Sequence, residues 1–254
     1  MGRTLVIDAD MLVYPISQVC RQEIDWDDDL TTVSVDVGQA QEMLCARLET
    51  WMQELQAQDV ILCFTGPNNW RAAVDSAYKA HRKGPKPPGF RALTSWCFSS
   101  FNSLLWVGFE ADDILGCIAS ECEERGFEDQ WIMVSGDKDL DTVPGYHHDF
   151  NRDLPGDVRF VPLLEADRWH MQQTLQGDAT DGYKGCPGVG PKGASKLLEG
   201  CESLAEMWEA VVGEFVRKGL TEEDALRNAR LAYILRDGSY DHETKEVRLW
   251  TPPI

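Results

Sequence analysis

Short apolar runs alternate with helically spaced stretches over the first part of the chain. Thr4–Ile7 is a short apolar run ending at Asp8, and it predicts a buried strand. Ala40–Leu55 repeats apolar residues at helical spacing, and Val60–Phe64 is a second strand-like run. Ser99–Val107 predicts a helix end followed by a third strand reaching Glu110. Ala111–Arg125 reads as a helix closed by Gly126, and Trp131–Val134 as a fourth strand leading into Ser135-Gly136-Asp137. Strands alternating with helices predict an α/β fold, a parallel sheet flanked by helices. From about Leu163 the pattern is helical, apart from a glycine-rich turn and a short Val247–Trp250 run. The expected organisation is therefore an α/β domain over residues 1–165 and a helical domain over 166–254. The stretch Gly84-Pro85-Lys86-Pro87-Pro88-Gly89 fits neither regular helix nor strand.

The polar positions that interrupt this pattern are informative. In an open parallel sheet, ligands bind beyond the carboxyl ends of the strands. Three of the four predicted strands end there in acids: Asp8, then Glu110 with Asp112 and Asp113, then Asp137 with Asp139. The second ends at Thr65. So many carboxylates at one sheet edge repel one another and raise each other's pKa unless cations neutralise them. Oxygen donors without a His or Cys set favour Mg²⁺, with Mn²⁺ as a substitute, over zinc. Two such ions about 4 Å apart would bind the attacking and leaving oxygens of an in-line phosphoryl displacement. Asp178 and Asp181 repeat the spacing of Glu110 and Asp113 and could complete a second metal site from the helical domain. Any one of these acids alone reads more simply as a helix cap or turn residue. The set carries the inference.

Composition sharpens this in two ways. The chain of 254 residues is 43% hydrophobic and 26% charged, the profile of a folded globular protein. No apolar run is long enough to span a bilayer, and the N-terminus enters a strand, so a soluble, cytoplasmic protein is expected. Its eight cysteines form no C-x-x-C pair and predict reduced thiols rather than disulfides or a zinc knuckle. A net charge of −19 argues against nucleic acid, but its distribution does not. From Ser76 to Phe109 there is no Asp or Glu, while Lys79, Arg82, Lys83, Lys86 and Arg91 make a basic island on an acidic body. Such an island suits a phosphate backbone, or equally a solvated loop.

The glycine-rich turn Gly185-Cys186-Pro187-Gly188-Val189-Gly190-Pro191-Lys192-Gly193-Ala194 precedes an apolar helix. It fits a helix–hairpin–helix pattern over residues 185–198, in which glycines let backbone N–H groups face a phosphate. Gly188, Gly190, Lys192 and Gly193 are then DNA contacts, and a K⁺ ion could occupy the turn. A tight connection between helices is the plainer reading.

Taken in order, Val6-Ile7-Asp8, Tyr78-Lys79-Ala80-His81-Arg82, Glu110-Ala111-Asp112-Asp113, Gly136-Asp137-Lys138-Asp139 and Gly177-Asp178-Ala179-Thr180-Asp181, followed by the Gly-x-Gly turn, resemble the 5′-nuclease superfamily. This superfamily contains the flap endonucleases and 5′→3′ exonucleases, and the likeness is greatest to the phage 5′→3′ exonucleases. The resemblance implies metal ligands at Asp8, Glu110, Asp112, Asp113, Asp137, Asp139, Asp178 and Asp181. It implies that Lys79 and Arg82 lie on a helix beside the metals and act on the scissile phosphate. A basic arch would cover about residues 71–95, with Arg71 and Lys83 as DNA contacts. The implied substrate is DNA with a 5′ end, nick or flap, extending to RNA–DNA hybrids cut with RNase H-like activity. A monomer without membrane contact, with replication proteins as partners, completes the expectation. One departure stands out: the family usually has an acid near the end of the second strand, where this chain reads Phe64-Thr65-Gly66.

A haloacid-dehalogenase-like phosphatase is the competing enzyme. Asp8-Ala9-Asp10 matches its nucleophile and acid, Thr65 its phosphate-binding strand end, and Gly136-Asp137 with Asp141 its metal loop. It leaves Glu110-Ala111-Asp112-Asp113, Asp178, Asp181 and the glycine turn unexplained. A catalytically inert, structure-selective DNA-binding protein is the non-enzymatic alternative. His147-His148 reads as a surface turn, and Tyr14 as a core residue.

Overall fold

The computed structural model describes residues 2–27, 30–82, 84–124, 126 and 130–253. Strand β1 (Arg3–Asp8) carries the fully buried Leu5, Val6 and Ile7 and leads into helix α1 (Asp10–Val19). A hairpin of β2 (Arg21–Asp27) and β3 (Leu30–Val35) follows. The apolar pattern does not predict it, because its described side chains are mostly exposed and form no buried stripe. Helix α2 (Val37–Glu54) is capped by Asp36, which accepts from Gln39 N at 3.0 Å, and it buries Ala40, Leu44, Leu48 and Trp51 on one face. Next come β4 (Ala57–Phe64), a single helical turn α3 (Arg71–Val74), α4 (Phe90–Ser100), β5 (Asn102–Leu105) and α5 (Ala111–Ala119). Then come β6 (Trp131–Ser135), a 3₁₀ turn over Lys138–Thr142, β7 (Gly145–Asp149) and β8 (Arg159–Val161). The chain continues with α6 (Leu163–Gln176), α7 (Pro191–Leu197), α8 (Leu204–Arg217) and α9 (Glu222–Ala232). A small pair, β9 (Tyr240–Asp241) and β10 (Glu246–Val247), lies near the C-terminal end.

The main sheet has the order β5-β4-β1-β6-β7-β8. Its first five strands are parallel, but β8 pairs antiparallel to β7, so the sheet is mixed rather than purely parallel. The two extra strands escape sequence patterning because β7 is Gly-Tyr-His-His-Asp and β8 has three residues. His147 and His148, expected in a surface turn, are buried in β7. Helix α5 ends at Ala119, short of the expected Arg125. Tyr14, expected in the core, is 43% exposed.

Strand alternation divides the apolar residues between two faces. Leu5, Ile7, Leu62, Phe64, Ile132 and Val134 pack with α1, α2 and α4. Val6, Ile61, Cys63 and Met133 turn the other way, into a cluster that runs on through α5 and α6 to Phe215 and Trp250. The C-terminal helices thus share a core with one face of the sheet. From β1 the chain moves outward through β4 to β5 and then crosses back to β6 on the other side of β1, and this reversal opens a crevice at the carboxyl end of β1.

Candidate active site

That crevice is a cavity of about 340 Å³. Asp8 closes β1, and its Oδ1 accepts from Asp10 N and Met11 N at 3.1 and 3.3 Å, fixing the start of α1. Asp137 heads the 3₁₀ turn and accepts from Asp139 N at 2.9 Å, which brings Asp139 alongside. Glu110 and Asp112 enter from the start of α5. Asp8, Asp10, Glu110, Asp112, Asp137, Asp139 and Asp181 all line the cavity, together with Lys79, Arg82 and Lys86.

Asp181 arrives from the loop after α6, and two glycines make that loop possible. Gly177 has φ +69, and a Cβ on it would lie 2.3 Å from Lys184 C; Gly185 has φ +63, with its Cβ position 2.3 Å from Gly177 N. Only residues without a side chain allow the two backbones to pass so closely. The loop is tied to the basic segment by Lys79 N, which donates to Asp181 O at 2.7 Å.

The basic side chains sit among the acids. Lys79 Nζ lies 2.5 Å from Glu110 Oε1 and 3.4 Å from Asp181 Oδ2, and Arg82 Nη2 is 2.8 Å from Asp181 Oδ1. The Tyr78 hydroxyl is 3.0 Å from Glu110 Oε2 and 2.9 Å from Asp181 Oδ2, and donates to one of them at a time. Lys79 and Arg82 do not lie on a helix, contrary to expectation. Residues 76–81 form consecutive turns, closed by Ala80 N to Ala77 O at 3.1 Å and Arg82 N to Lys79 O at 2.9 Å, and Lys79 has φ +49. Left-handed backbone at a residue with a long side chain is strained, and the hydrogen bond to Asp181 O helps to hold it. Beyond Arg82, Lys86 Nζ lies 4.6 Å from the Phe90 ring centre. Lys83 lies outside the described residues.

Two expected site residues serve the fold instead. Arg71, expected at DNA, is 2% exposed. Its guanidinium donates to both oxygens of Asp113 at 2.8 Å, to Leu231 O at 3.1 Å and to Tyr233 O at 2.6 Å. Asp113, expected at a metal, is fully buried; it accepts further from Trp70 Nε1 at 3.0 Å, Leu235 N at 3.2 Å and Glu110 N at 3.2 Å. Both its oxygens are committed to protein donors, so it has none to offer a cation. Asp178, like Asp113 but unlike Arg71, does not line the cavity; its Oδ1 accepts from Thr180 N and Asp181 N at 2.6 and 3.1 Å, shaping the loop. Arg71 was hard to place from sequence because a buried and an exposed arginine look alike there. Asp10 and Tyr78 were within reach, one beside the strand-terminal Asp8 and the other beside Lys79.

Electrostatics separate the acids into two groups. Burial raises the Asp8 carboxyl to about 7, with the neighbouring charge of Asp10 adding to it. Burial and Asp137 likewise raise Asp139 to about 7. Burial, then Asp8 and Asp137, push Asp112 well above the usual carboxylate range. Glu110 goes the other way: burial works to raise it, but the charges of Arg71 and Lys79 outweigh that and hold it low. Among the described residues, no three His, Cys, Asp or Glu side chains are gathered closely enough to enclose an ion as they stand. Yet Asp112 Oδ1 and Asp139 Oδ1 are buried with no hydrogen-bond partner. A buried anionic oxygen without a partner is costly, and a hard divalent cation is the partner such a set of oxygen donors fits. Among the described residues, Lys and Arg side chains ion-pair with Glu110 and Asp181, and none ion-pairs with Asp8, Asp112 or Asp139.

Asp141, which the phosphatase reading needs in its metal loop, is instead ion-paired to Arg152, at 2.9 Å, and to Arg159. All eight cysteines are free, and none lines the cavity. Away from the cavity, Gly190 caps α7 in extended backbone. Lys192, Ser195 and Lys196 line a separate surface groove of about 820 Å³ with Arg168. Gly188, Gly190, Lys192 and Gly193 therefore stand apart from the acids. Among the described residues, no helix is long and apolar enough to cross a membrane.

The sequence profile of a family described as "5′-3′ exonuclease, N-terminal resolvase-like domain" matches residues 3–145. The chain is 29% identical over 282 residues to the exodeoxyribonuclease of Enterobacteria phage T3, covering 98% of this chain and 92% of that one. It is 29% identical over 283 residues to the exonuclease of Escherichia phage T7, with 98% and 93% covered. Among solved structures, the T5 D15 protein co-crystallised with metal ions superposes with a TM-score of 0.63 at 13% identity, over 91% of this chain and 88% of that one. A T5 5′-exonuclease structure with bound zinc gives a TM-score of 0.63 at 15% identity, with 91% and 89% covered, so the fold is of that kind. Since the profile covers more than half of its length, the chain belongs to the 5′→3′ exonuclease family.

Proposed function

We propose that this protein hydrolyses phosphodiester bonds from the 5′ ends of duplex DNA with Mg²⁺, for which Mn²⁺ substitutes. Asp8, Asp112, Asp137 and Asp139 would hold the divalent cations, with Glu110 and Asp181 beside them and Asp178 fixing the loop. The observation that carries this reading is the presence of two unpartnered buried carboxylate oxygens, Asp112 Oδ1 and Asp139 Oδ1, in a cavity that also holds Lys79 and Arg82. Bound cations supply charge neutralisation at the phosphoryl oxygens and a lower pKa for the attacking water.

The chain's own groups do the remaining work. Lys79 and Arg82, held by Glu110 and Asp181 in the free protein, would turn to the scissile phosphate and stabilise charge developing on its oxygens. Tyr78 keeps Glu110 and Asp181 in place through its hydroxyl. The turn at 185–198 acts as a helix–hairpin–helix: the backbone around Gly188 and Gly190, with Lys192, holds duplex phosphates away from the cut. Flap cleavage and RNase H-like hydrolysis belong to the same chemistry, since they require a 5′ end at the same acids.

The test is cleavage of end-labelled duplex, nicked, flapped and RNA–DNA substrates in Mg²⁺, beside a small phosphate monoester. Mononucleotide release from 5′ ends is the expected result. Monoester hydrolysis alone, or binding without turnover, would overturn the reading. Asp137→Ala should abolish cleavage and leave DNA binding measurable; wild-type turnover in that variant would remove the metal assignment.

A further inference from the structure

We infer that Asp10 supplies, as a ligand for a divalent cation, the carboxylate that the end of β4 lacks. The inference rests on the nuclease reading of the cavity. Neither residue after β4 can fill that place. Thr65 Oγ1 is already engaged: it accepts from Ala111 N at 3.1 Å and closes the start of α5. Gly66 has no side chain and no room for one, because a Cβ there would lie 2.1 Å from Trp106 O. An acid at this position would have to push backbone aside.

Helix α1 brings Asp10 to the same point from the neighbouring strand. Thr65 N donates to Asp10 Oδ2 at 3.0 Å, which ties a carboxylate carried by α1 to the carboxyl end of β4. Asp10 lines the cavity with Asp8, Asp112, Asp137 and Asp139. Among the described residues, no donor reaches its Oδ1 and no Lys or Arg pairs with it, so one oxygen keeps its full capacity to ligate. Two further oxygens of the same cavity, Asp112 Oδ1 and Asp139 Oδ1, are buried without partners, which independently marks the place as one for positive charge. Oxygen donors from three chain segments thus line one cavity, and a hard cation, which takes six or more oxygen ligands, draws on such a set.

The competing account is purely structural: an acid in the first turn of a helix favours the dipole, and its hydrogen bond would simply join α1 to β4. Asp10→Asn separates the two, since the amide oxygen still accepts from Thr65 N while the charge is gone. Mn²⁺ binding to the DNA-free protein would be measured by calorimetry for wild type, Asp10→Asn and Asp137→Asn, with thermal unfolding alongside. Asp10→Asn should weaken Mn²⁺ binding at least about tenfold, a loss of one charged oxygen ligand, with its metal-free melting temperature close to wild type. Wild-type Mn²⁺ affinity in Asp10→Asn, with weakened binding in Asp137→Asn, would overturn the assignment of Asp10 alone. Unchanged affinity in both would overturn the cation reading of the whole cavity. Should Asp10→Asn fail to fold, Asp10→Ser, which also keeps an acceptor for Thr65 N, is held to the same criterion.

Discussion

Lys79 illustrates how much one residue does here. Its backbone is left-handed and donates to Asp181 O, while its ammonium sits between Glu110 and Asp181. It therefore waits at the acids already positioned, so its removal should act on the reaction more than on binding. Lys79→Ala should lower kcat by about 10²–10³ with a smaller change in KM, as for removal of one preorganised donor to developing charge. A change confined to KM in steady-state and single-turnover assays would refute that role. Lys79 was legible because it sits in a recognisable motif with Tyr78 and Arg82. The buried histidines were not, because nothing local distinguishes them from surface residues. Burial holds His147 at about 4 and His170 at about 3, against 6.5 ordinarily. His170 Nε2 must carry a proton, since its partner Ala229 O only accepts, and Nδ1 has no partner. With folded values below the unfolded one, the unfolded chain binds more protons below pH 6.5. The stability from keeping these rings neutral is thus present above pH 6.5 and lost as pH falls towards 4 and 3. Between pH 6.5 and 5 each ring should contribute a slope approaching about 1.4 kcal/mol per pH unit. His170→Gln, which keeps a donor for Ala229 O, should flatten the urea-midpoint profile over that range; an unchanged profile would remove His170 from the account.

At the scale of elements, the acids meet because strand ends meet. Asp8, Glu110, Asp112, Asp137 and Asp139 lie far apart in sequence and come together because β1 lies between β4 and β6 in a parallel array. The strands that build this place are apolar runs and were readable; the hairpin, β7 and β8 were not, because polar or very short strands leave no apolar stripe. Asp113 shows the limit of spacing as an argument. Its position three residues after Glu110 suits a shared helix face, yet the same spacing suits a capping partner, and the structure uses it for that. The glycine turn offers a clean test at this scale. A Cβ on Gly190 would meet nothing within 4 Å, and its φ of −94° is open to any residue. Gly190→Val should therefore fold normally and weaken duplex binding by about tenfold if a phosphate approaches that backbone closely. Unchanged affinity by fluorescence anisotropy would show that the turn merely connects α6 to α7.

For the whole molecule, Arg71 is the tie between distant parts of the chain. It joins α3 to Asp113 in α5, and both to Leu231 and Tyr233, some 160 positions further along, at the end of α9. Breaking such a buried pair leaves Asp113 charged and unpaired. Arg71→Met should cost about 3–5 kcal/mol in urea unfolding. Turnover should fall as well, because Glu110 loses one of the charges that hold it low. Near-wild-type stability would refute the tie. The overall charge of −19 fits the same picture of specialised regions: the basic island sits beside the acids, and the body remains acidic.

The sequence by itself determined the class of chemistry. Acids at successive strand ends, a basic stretch free of acids and a glycine turn are local features, and their order along the chain carried the family resemblance. It also determined the central strands, because burial on both faces demands continuous apolar runs. Only the tertiary structure decided which acids remain available. Whether a carboxylate is consumed by a buried guanidinium, as Asp113 is by Arg71, or left with a free oxygen, as Asp10 and Asp112 are, depends on partners brought from distant segments. The place of the C-terminal helices was decided there too. Their apolar faces specify burial but name no partner, and the sheet face that covers them is defined only once the chain has folded.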